Sequence, residues 1–339
     1  MRLDEAFEPR VTVVWRAWPP RTYFRPRLGV PFLYPGTVIF MRRARLGLIP
    51  VLGCLFPLLA SAQRPFKVYI SVDMEGIAGV VTADQLSPSG FEYARAREFM
   101  TGEALAAVAA AKEAGATQIV VSDSHGNGES LLIERFPADV RIVRSWPRPL
   151  AMMEGIDSTF SAVVFVGYHA STTNVAGVRA HTFSSANYAA VELNGVAMPE
   201  GGVNAAIAGY FGVPVVAVTG DDRAVAEVQA LVGPMEGAVV KRAISFHSAE
   251  TMTPDAAQAL IKEKVRAGLA RRASMKPFVV KAPVRLDLTF KNYTPAEMLS
   301  YLPSVQRTTS HAVRFTGRDI LEVSRFIEFV GTYQPGMTP

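Results

Sequence analysis

The chain has 339 residues, an ordinary apolar share of 49% and a formal net charge of +5, a length near two average domains with enough apolar material for a sizeable core. The basic excess is local: residues 1–62 hold nine Arg against three acids, and residues 63–339 carry 26 Lys+Arg against 27 Asp+Glu. That near-neutral body excludes an electrostatic footprint for nucleic acid. Cys54 is the one cysteine of the chain, so the body has no disulfide, thiol nucleophile or thiolate metal ligand.

Residues 1–40 carry Arg, Pro and aromatic residues without periodicity and read as an upstream extension. Met41-Arg42-Arg43-Ala44-Arg45 is a positive n-region, Leu46 to Leu59 is apolar, and Ala60-Ser61-Ala62 is a small-residue cleavage site. The pattern predicts a secretory signal peptide over residues 41–62 and a mature chain starting at Gln63. The apolar stretch is short for a membrane span, so no stable anchor is expected after processing. The expected location is periplasmic or extracellular. Val51-Leu52-Gly53-Cys54 faintly resembles a lipoprotein cleavage box, but the apolar Leu55-Phe56 beyond it favours the first reading.

Short β-branched or aromatic runs follow. Val68 to Val72 leads into Asp73-Met74-Glu75-Gly76, Gln118 to Val121 into Ser122-Asp123-Ser124-His125-Gly126, and Ala162 to Val166 into Gly167-Tyr168-His169. Each reads as a strand buried on both faces of a parallel sheet, with Phe91 to Ala114 as an Ala-rich helix between the first two. Leu131 to Phe136 reads as a short helix, Val140 to Val143 as a strand, and Asn174 to Ser185 as a loop. Ala189 to Leu193 and the Asn194-Gly195 turn signal predict a hairpin. A helix is expected over Val203 to Tyr210, a strand over Val213 to Thr219, and helices over Arg223 to Val232 and Asp255 to Arg272. Beyond Pro277, strands are expected at Val279 to Lys281, Arg285 to Phe290 and Ala312 to Thr316. Helices are expected over Pro295 to Tyr301, capped by Thr294, and over Asp319 to Phe329. The predicted fold class is α/β: a three-layer, sandwich-like main domain with a mostly parallel sheet over residues 66–275, and a smaller C-terminal α+β subdomain over 276–333.

Ligands bind beyond the carboxyl ends of the strands in such sheets, and there the chemistry-bearing residues fall. Asp73 and Glu75, two apart at a strand end, can reach one metal, although an exposed acidic turn would look the same. His125, in a Gly-flanked loop, and His169 are candidate ligands; Asp123 could orient the His125 imidazole or cap its own loop. His181 lies in a loop without apolar periodicity and suits proton transfer or oxyanion stabilisation. Glu200, near a helix start, is either a further carboxylate ligand or a favourable charge at a helix N-terminus. His247 and His311 read as structural. Carboxylates with imidazoles suit Zn²⁺ or Mn²⁺. No G-x-S-x-G, phosphate-binding glycine loop or H-E-x-x-H is present.

Ser71-Val72-Asp73-Met74-Glu75-Gly76, Ser122-Asp123-Ser124-His125, Gly167-Tyr168-His169-Ala170, Glu200-x-Gly-x-Asn204-Ala205 and Gly220-Asp221-Asp222 occur in that order. The set resembles the DppA-like zinc D-aminopeptidases over about Phe66 to Tyr333. The resemblance implies two Zn²⁺ per subunit, with Asp73, Glu75, His125, His169 and Glu200 matching the metal ligands and His181 the catalytic histidine. It implies a homo-oligomer, a decamer of two pentameric rings. Two departures stand out: Pro199 where the family often has Gly, and the export signal.

The function expected is a binuclear-zinc aminopeptidase that removes N-terminal D-amino acids such as D-Ala from short peptides through a metal-bridged water. The rivals are another metallohydrolase on the same scaffold, an amidase or phosphoesterase, and an exported, non-catalytic peptide-binding protein.

Overall fold

The computed structural model describes residues 65–334. The expected upstream extension, the signal peptide and Cys54 lie outside the described residues. The first half runs β1 (Lys67–Val72), α1 (Tyr93–Glu113), β2 (Gln118–Asp123), β3 (Val140–Val143), β4 (Ala162–Tyr168), β5 (Tyr188–Leu193), β6 (Val196–Ala197) and α2 (Glu200–Tyr210). The second half runs β7 (Val215–Asp221), α3 (Asp222–Val232), β8 (Glu236–Ser245), β9 (Ser248–Thr251), α4 (Pro254–Ala270), β10 (Val284–Phe290), α5 (Tyr293–Leu299), β11 (Val305–Arg307), β12 (Ala312–Gly317) and α6 (Ile320–Thr332).

The main sheet has the order β3-β2-β1-β4-β7-β8-β9. Its first six strands are parallel, and β9 closes the edge as an antiparallel hairpin with β8. Side chains alternate across each strand and so feed two cores. Val68, Ile70 and Val72 of β1 and Val164 and Val166 of β4 pack with α1 and α4. Tyr69, Val163 and Phe165 pack on the opposite face with α2, α3, α6 and a second sheet. That second sheet is antiparallel, in the order β11-β12-β10-β5-β6. It draws β5 and β6 from the middle of the chain to join the C-terminal strands. The architecture is the α/β fold with a mostly parallel sheet and a C-terminal antiparallel unit. No helix among the described residues is long and apolar enough to cross a membrane.

Several elements differ from expectation. α2 begins at Glu200 rather than Val203, because Pro199 takes the N-cap with φ −70° and ψ 164°. The ring sets that φ, and its missing N–H falls where a helix has no intrahelical acceptor for it. No strand forms at Val279 to Lys281, where Pro277 and Pro283 flank the run and remove ladder donors. α5 is capped by Asn292, whose Oδ1 accepts from the Thr294 amide at 3.2 Å, rather than by Thr294. The stretch from Leu131 to Phe136 is a single 3-10 turn at Ile133–Arg135. The β8–β9 hairpin was not anticipated, because Lys241-Arg242 interrupts its apolar run.

Candidate metal centre

The carboxyl ends of β1, β2 and β4 lie side by side, with Val72 paired to Asp123 on one flank and to Val166 on the other. Asp73 therefore leaves the sheet between His125 and His169. Its amide donates to Val166 O at 2.8 Å, and the Ser124 amide donates to Val72 O at 2.9 Å. Gly76 then lets the acidic loop cross the end of β4: a Cβ there would stand 2.1 Å from Tyr168 O. Gly167, with φ +71°, turns β4 away beneath it.

All six expected residues converge on one cleft of about 450 Å³. His125 Nδ1 is 2.9 Å from Glu75 Oε2 and 3.3 Å from Asp73 Oδ1. His169 Nε2 is 3.2 Å from Asp73 Oδ2 and 3.4 Å from Glu200 Oε1. Asp73 thus reaches one imidazole with each oxygen. Donor atoms of Asp73, Glu75 and His169 lie within 4.8 Å of one another, as do those of His169, His181 and Glu200.

A backbone carbonyl fixes the tautomer of each imidazole. His125 Nε2 lies 2.8 Å from Leu86 O, His169 Nδ1 3.0 Å from Ala170 O, and His181 Nδ1 2.8 Å from Arg179 O. A carbonyl can only accept, so these nitrogens carry hydrogen and the opposite ones face the carboxylates. Asp123 does not orient His125. Its Oδ2 accepts from the Leu131 amide at 2.7 Å and ties the loop, while the Leu86 carbonyl holds the ring.

His181 differs from His169. The two rings stack at 4.0 Å and 6°, but the His181 side chain is 15% exposed against 1% for His169. Its Nε2 is 3.9 Å from Glu200 Oε1 and opens to the cleft. Arg179 and Phe183, two residues to either side, have φ of +52° and +61°, strained backbone that persists only where the surroundings impose it. The Phe183 amide donates to Glu200 Oε1 at 2.6 Å. Pro199 does not turn Glu200 out of the cluster.

The protein groups alone leave this cluster short of partners. Asp73 Oδ2 and His169 Nε2 are buried without a hydrogen bond, and burying polar atoms unpaired is costly. Burial and the neighbouring Glu75 charge both raise the Asp73 carboxyl. Burial also raises Glu75, but the His125 imidazolium outweighs it and holds that carboxyl well below its usual range. Burial opposes charge on His125 and His169, yet the facing carboxylates lift both well above the usual imidazole value. Two inward nitrogens and three carboxylates that hold cationic charge form a donor set for a borderline divalent metal.

The family model Peptidase_M55, described as D-aminopeptidase, matches residues 66–329. The chain belongs to this D-aminopeptidase family. The curated D-aminopeptidase of Bacillus subtilis (strain 168) is 34% identical over 259 residues, 76% of this chain and 93% of that protein. A solved structure described as the Zn-dependent D-aminopeptidase DppA from Bacillus subtilis, a self-compartmentalizing protease, aligns with a TM-score of 0.75 at 31% identity. It covers 80% of this chain and 100% of that one. All six cleft residues lie inside the segment matched by the D-aminopeptidase family model.

Supporting residues escaped the sequence reading. Lys241 of β8 is 2% exposed and its ammonium donates to the carbonyls of Glu75, Ile77 and Val80, holding the acidic loop from behind. Tyr168 donates to Ser71 Oγ at 2.8 Å and accepts from Asn204 Nδ2 at 2.9 Å, tying β4, β1 and α2 beneath the cleft. Arg148 spans Ser122 Oγ and Asp123 O under the His125 loop. Tyr168 and Asn204 sit inside the quoted motifs and were findable there; Lys241 and Arg148 carry no local signal. His247 is exposed beside Arg179 and His311 bonds Ser310 Oγ, both outside the cleft lining.

Proposed function

We propose that this chain is a zinc-dependent aminopeptidase that removes N-terminal D-residues, D-Ala among them, from short peptides. The observation that carries the proposal is Asp73, with Oδ1 3.3 Å from His125 Nδ1 and Oδ2, buried and without a hydrogen bond, 3.2 Å from His169 Nε2. Asp73, Glu75, His125, His169 and Glu200 would hold two zinc ions. Bound zinc supplies Lewis acidity, which polarises a carbonyl and acidifies water.

The chain's own residues do the rest. The carbonyls of Leu86 and Ala170 fix the ligand rings. Lys241 fixes the acidic loop. His181 keeps Nδ1–H on Arg179 O and so presents Nε2 to the cleft, placed to hold a proton for the leaving amine or to face the developing oxyanion. Trp146, Phe183 and Ile327 supply apolar parts of the cleft lining. Two coarser expectations join the proposal: the enzyme assembles as a homo-oligomer, for which the rings of the sequence reading are the finer form, and it is exported, on the strength of the n-region, apolar run and Ala60-Ser61-Ala62 site.

The test is His181→Ala assayed on D-Ala-D-Ala with metal analysis. Zinc content should stay at the wild-type level while turnover falls on the order of 10²- to 10⁴-fold. Loss of zinc with the imidazole would make His181 a ligand and contradict its assignment.

A further inference from the structure

An aminopeptidase must distinguish a free α-ammonium from a peptide nitrogen, and the cleft holds one acid that the metal cluster leaves over. Its lining contains four carboxylates: Asp73, Glu75, Glu200 and Glu328. The first three face His125, His169 and His181 at the strand ends. Glu328 comes from α6, on the side of the cleft formed by the second sheet's helix. One of its oxygens is engaged: Oε1 accepts from the Arg148 amide at 3.2 Å and from the Thr332 hydroxyl at 3.1 Å. Oε2 has no hydrogen-bond partner among the described residues. The Arg148 guanidinium is engaged on Ser122 Oγ, Asp123 O and Ser145 O and feels the Glu328 charge from there.

Two further features point to a cation at this end. Gly331 and Thr332 also line the cleft, so the carboxyl end of α6 opens into it. A helix end presents unpaired carbonyls and a partial negative charge, and no basic residue occupies the last turn to neutralise it. Among the described residues the lining contains no Lys or Arg, and the nearby Arg148 guanidinium is engaged beneath it on Ser122 Oγ and Asp123 O, so an ammonium entering the cleft finds an acid and a helix terminus.

We propose that Glu328, with the carboxyl end of α6, receives the protonated α-amino group of the peptide and is the specificity-determining residue for a free N-terminus. The inference rests on the peptide-hydrolase reading above. Glu328 binds a part of the substrate that does not react, so its contribution is the same in ground and transition states and falls on KM rather than kcat.

Glu328→Gln separates this role from a structural one. The amide keeps an oxygen to accept from Arg148 and Thr332 and removes only the charge. Wild type and variant are assayed on D-Ala-D-Ala and on its N-acetyl derivative, with zinc content measured on both. Binding of D-alaninamide to each protein is followed by calorimetry. The expected result is a KM for the free dipeptide raised about tenfold or more, kcat within a few-fold of wild type, unchanged zinc, and D-alaninamide binding weakened to match. Cleavage by wild type together with an unchanged KM and unchanged D-alaninamide binding in Glu328→Gln would overturn the proposal and leave the hydrolase reading intact. A wild-type protein that cleaves no free peptide would overturn the reading beneath it as well.

Discussion

Each histidine of the cleft gives one ring nitrogen to a backbone carbonyl and turns the other towards a carboxylate. The pattern explains how residues far apart in sequence keep a fixed geometry: the carbonyls belong to loops that the sheet already holds. The same acidic loop is braced from behind by buried ionisable groups. Glu103 of α1 accepts from the Ala78 amide at 2.8 Å with Oε1, while Oε2 is buried without a partner. Burial pushes its carboxyl up to about 8, against the pull of the Ala78 amide and the Lys241 ammonium. A carboxyl raised on folding favours the folded state while protonated. Its contribution is complete below the ordinary value of 4.5 and is lost as pH rises through about 8. Glu103→Gln keeps the acceptor and removes the ionisation. It should raise the Tm at about pH 9 and change it little at about pH 5. Thermal unfolding at both pH values checks this, and parallel Tm curves for the two proteins would contradict it.

At the scale of elements, the cleft joins strand ends of the main sheet to loops braced by distant hairpins. The β8–β9 hairpin reaches the loop that carries His181. The Arg179 amide donates to Phe246 O at 3.0 Å, and the Arg179 guanidinium stacks 5.0 Å from the Phe246 ring centre. Arg179 in turn supplies the carbonyl that orients His181. Phe246→Ala removes the ring, an exposed cation–π contact worth about 0.5–1 kcal/mol. It should lower kcat a few-fold through a looser His181 while zinc content holds. Steady-state kinetics with metal analysis checks this, and an unchanged kcat would free the loop from the hairpin. The strands and loops that place Asp73, His125 and His169 were legible in the sequence because a buried parallel strand is a short apolar run with its chemistry just beyond. Strand β8 was not, because Lys241 breaks its run. A lysine inside a strand looks like a surface residue until three carbonyls from another segment are seen to hold it. The brace between Arg179 and Phe246 was hidden for the same reason: it spans residues with no shared periodicity. The start of α2 was misplaced because Glu200-Gly201-Gly202 resembles a loop, and Pro199 alone marks its first turn.

At the scale of the whole molecule, two sheets divide the work. The parallel sheet presents the donor cluster at its carboxyl edge, and the antiparallel sheet brings α6 across the cleft, so the reacting end and the binding end belong to different parts of the fold. The family explains the motif order, the near-neutral body carries no electrostatic footprint for nucleic acid, and residues 63–339 hold no cysteine for thiol chemistry. The most direct measurement is hydrolysis of D-Ala-D-Ala and L-Ala-L-Ala by the protein purified from Gln63 onward, with metal content determined before and after chelation. The expected result is cleavage of the D-peptide alone, abolished by chelator and restored by about two zinc per chain. Cleavage that survives complete removal of the metal, or that favours the L-peptide, would contradict it.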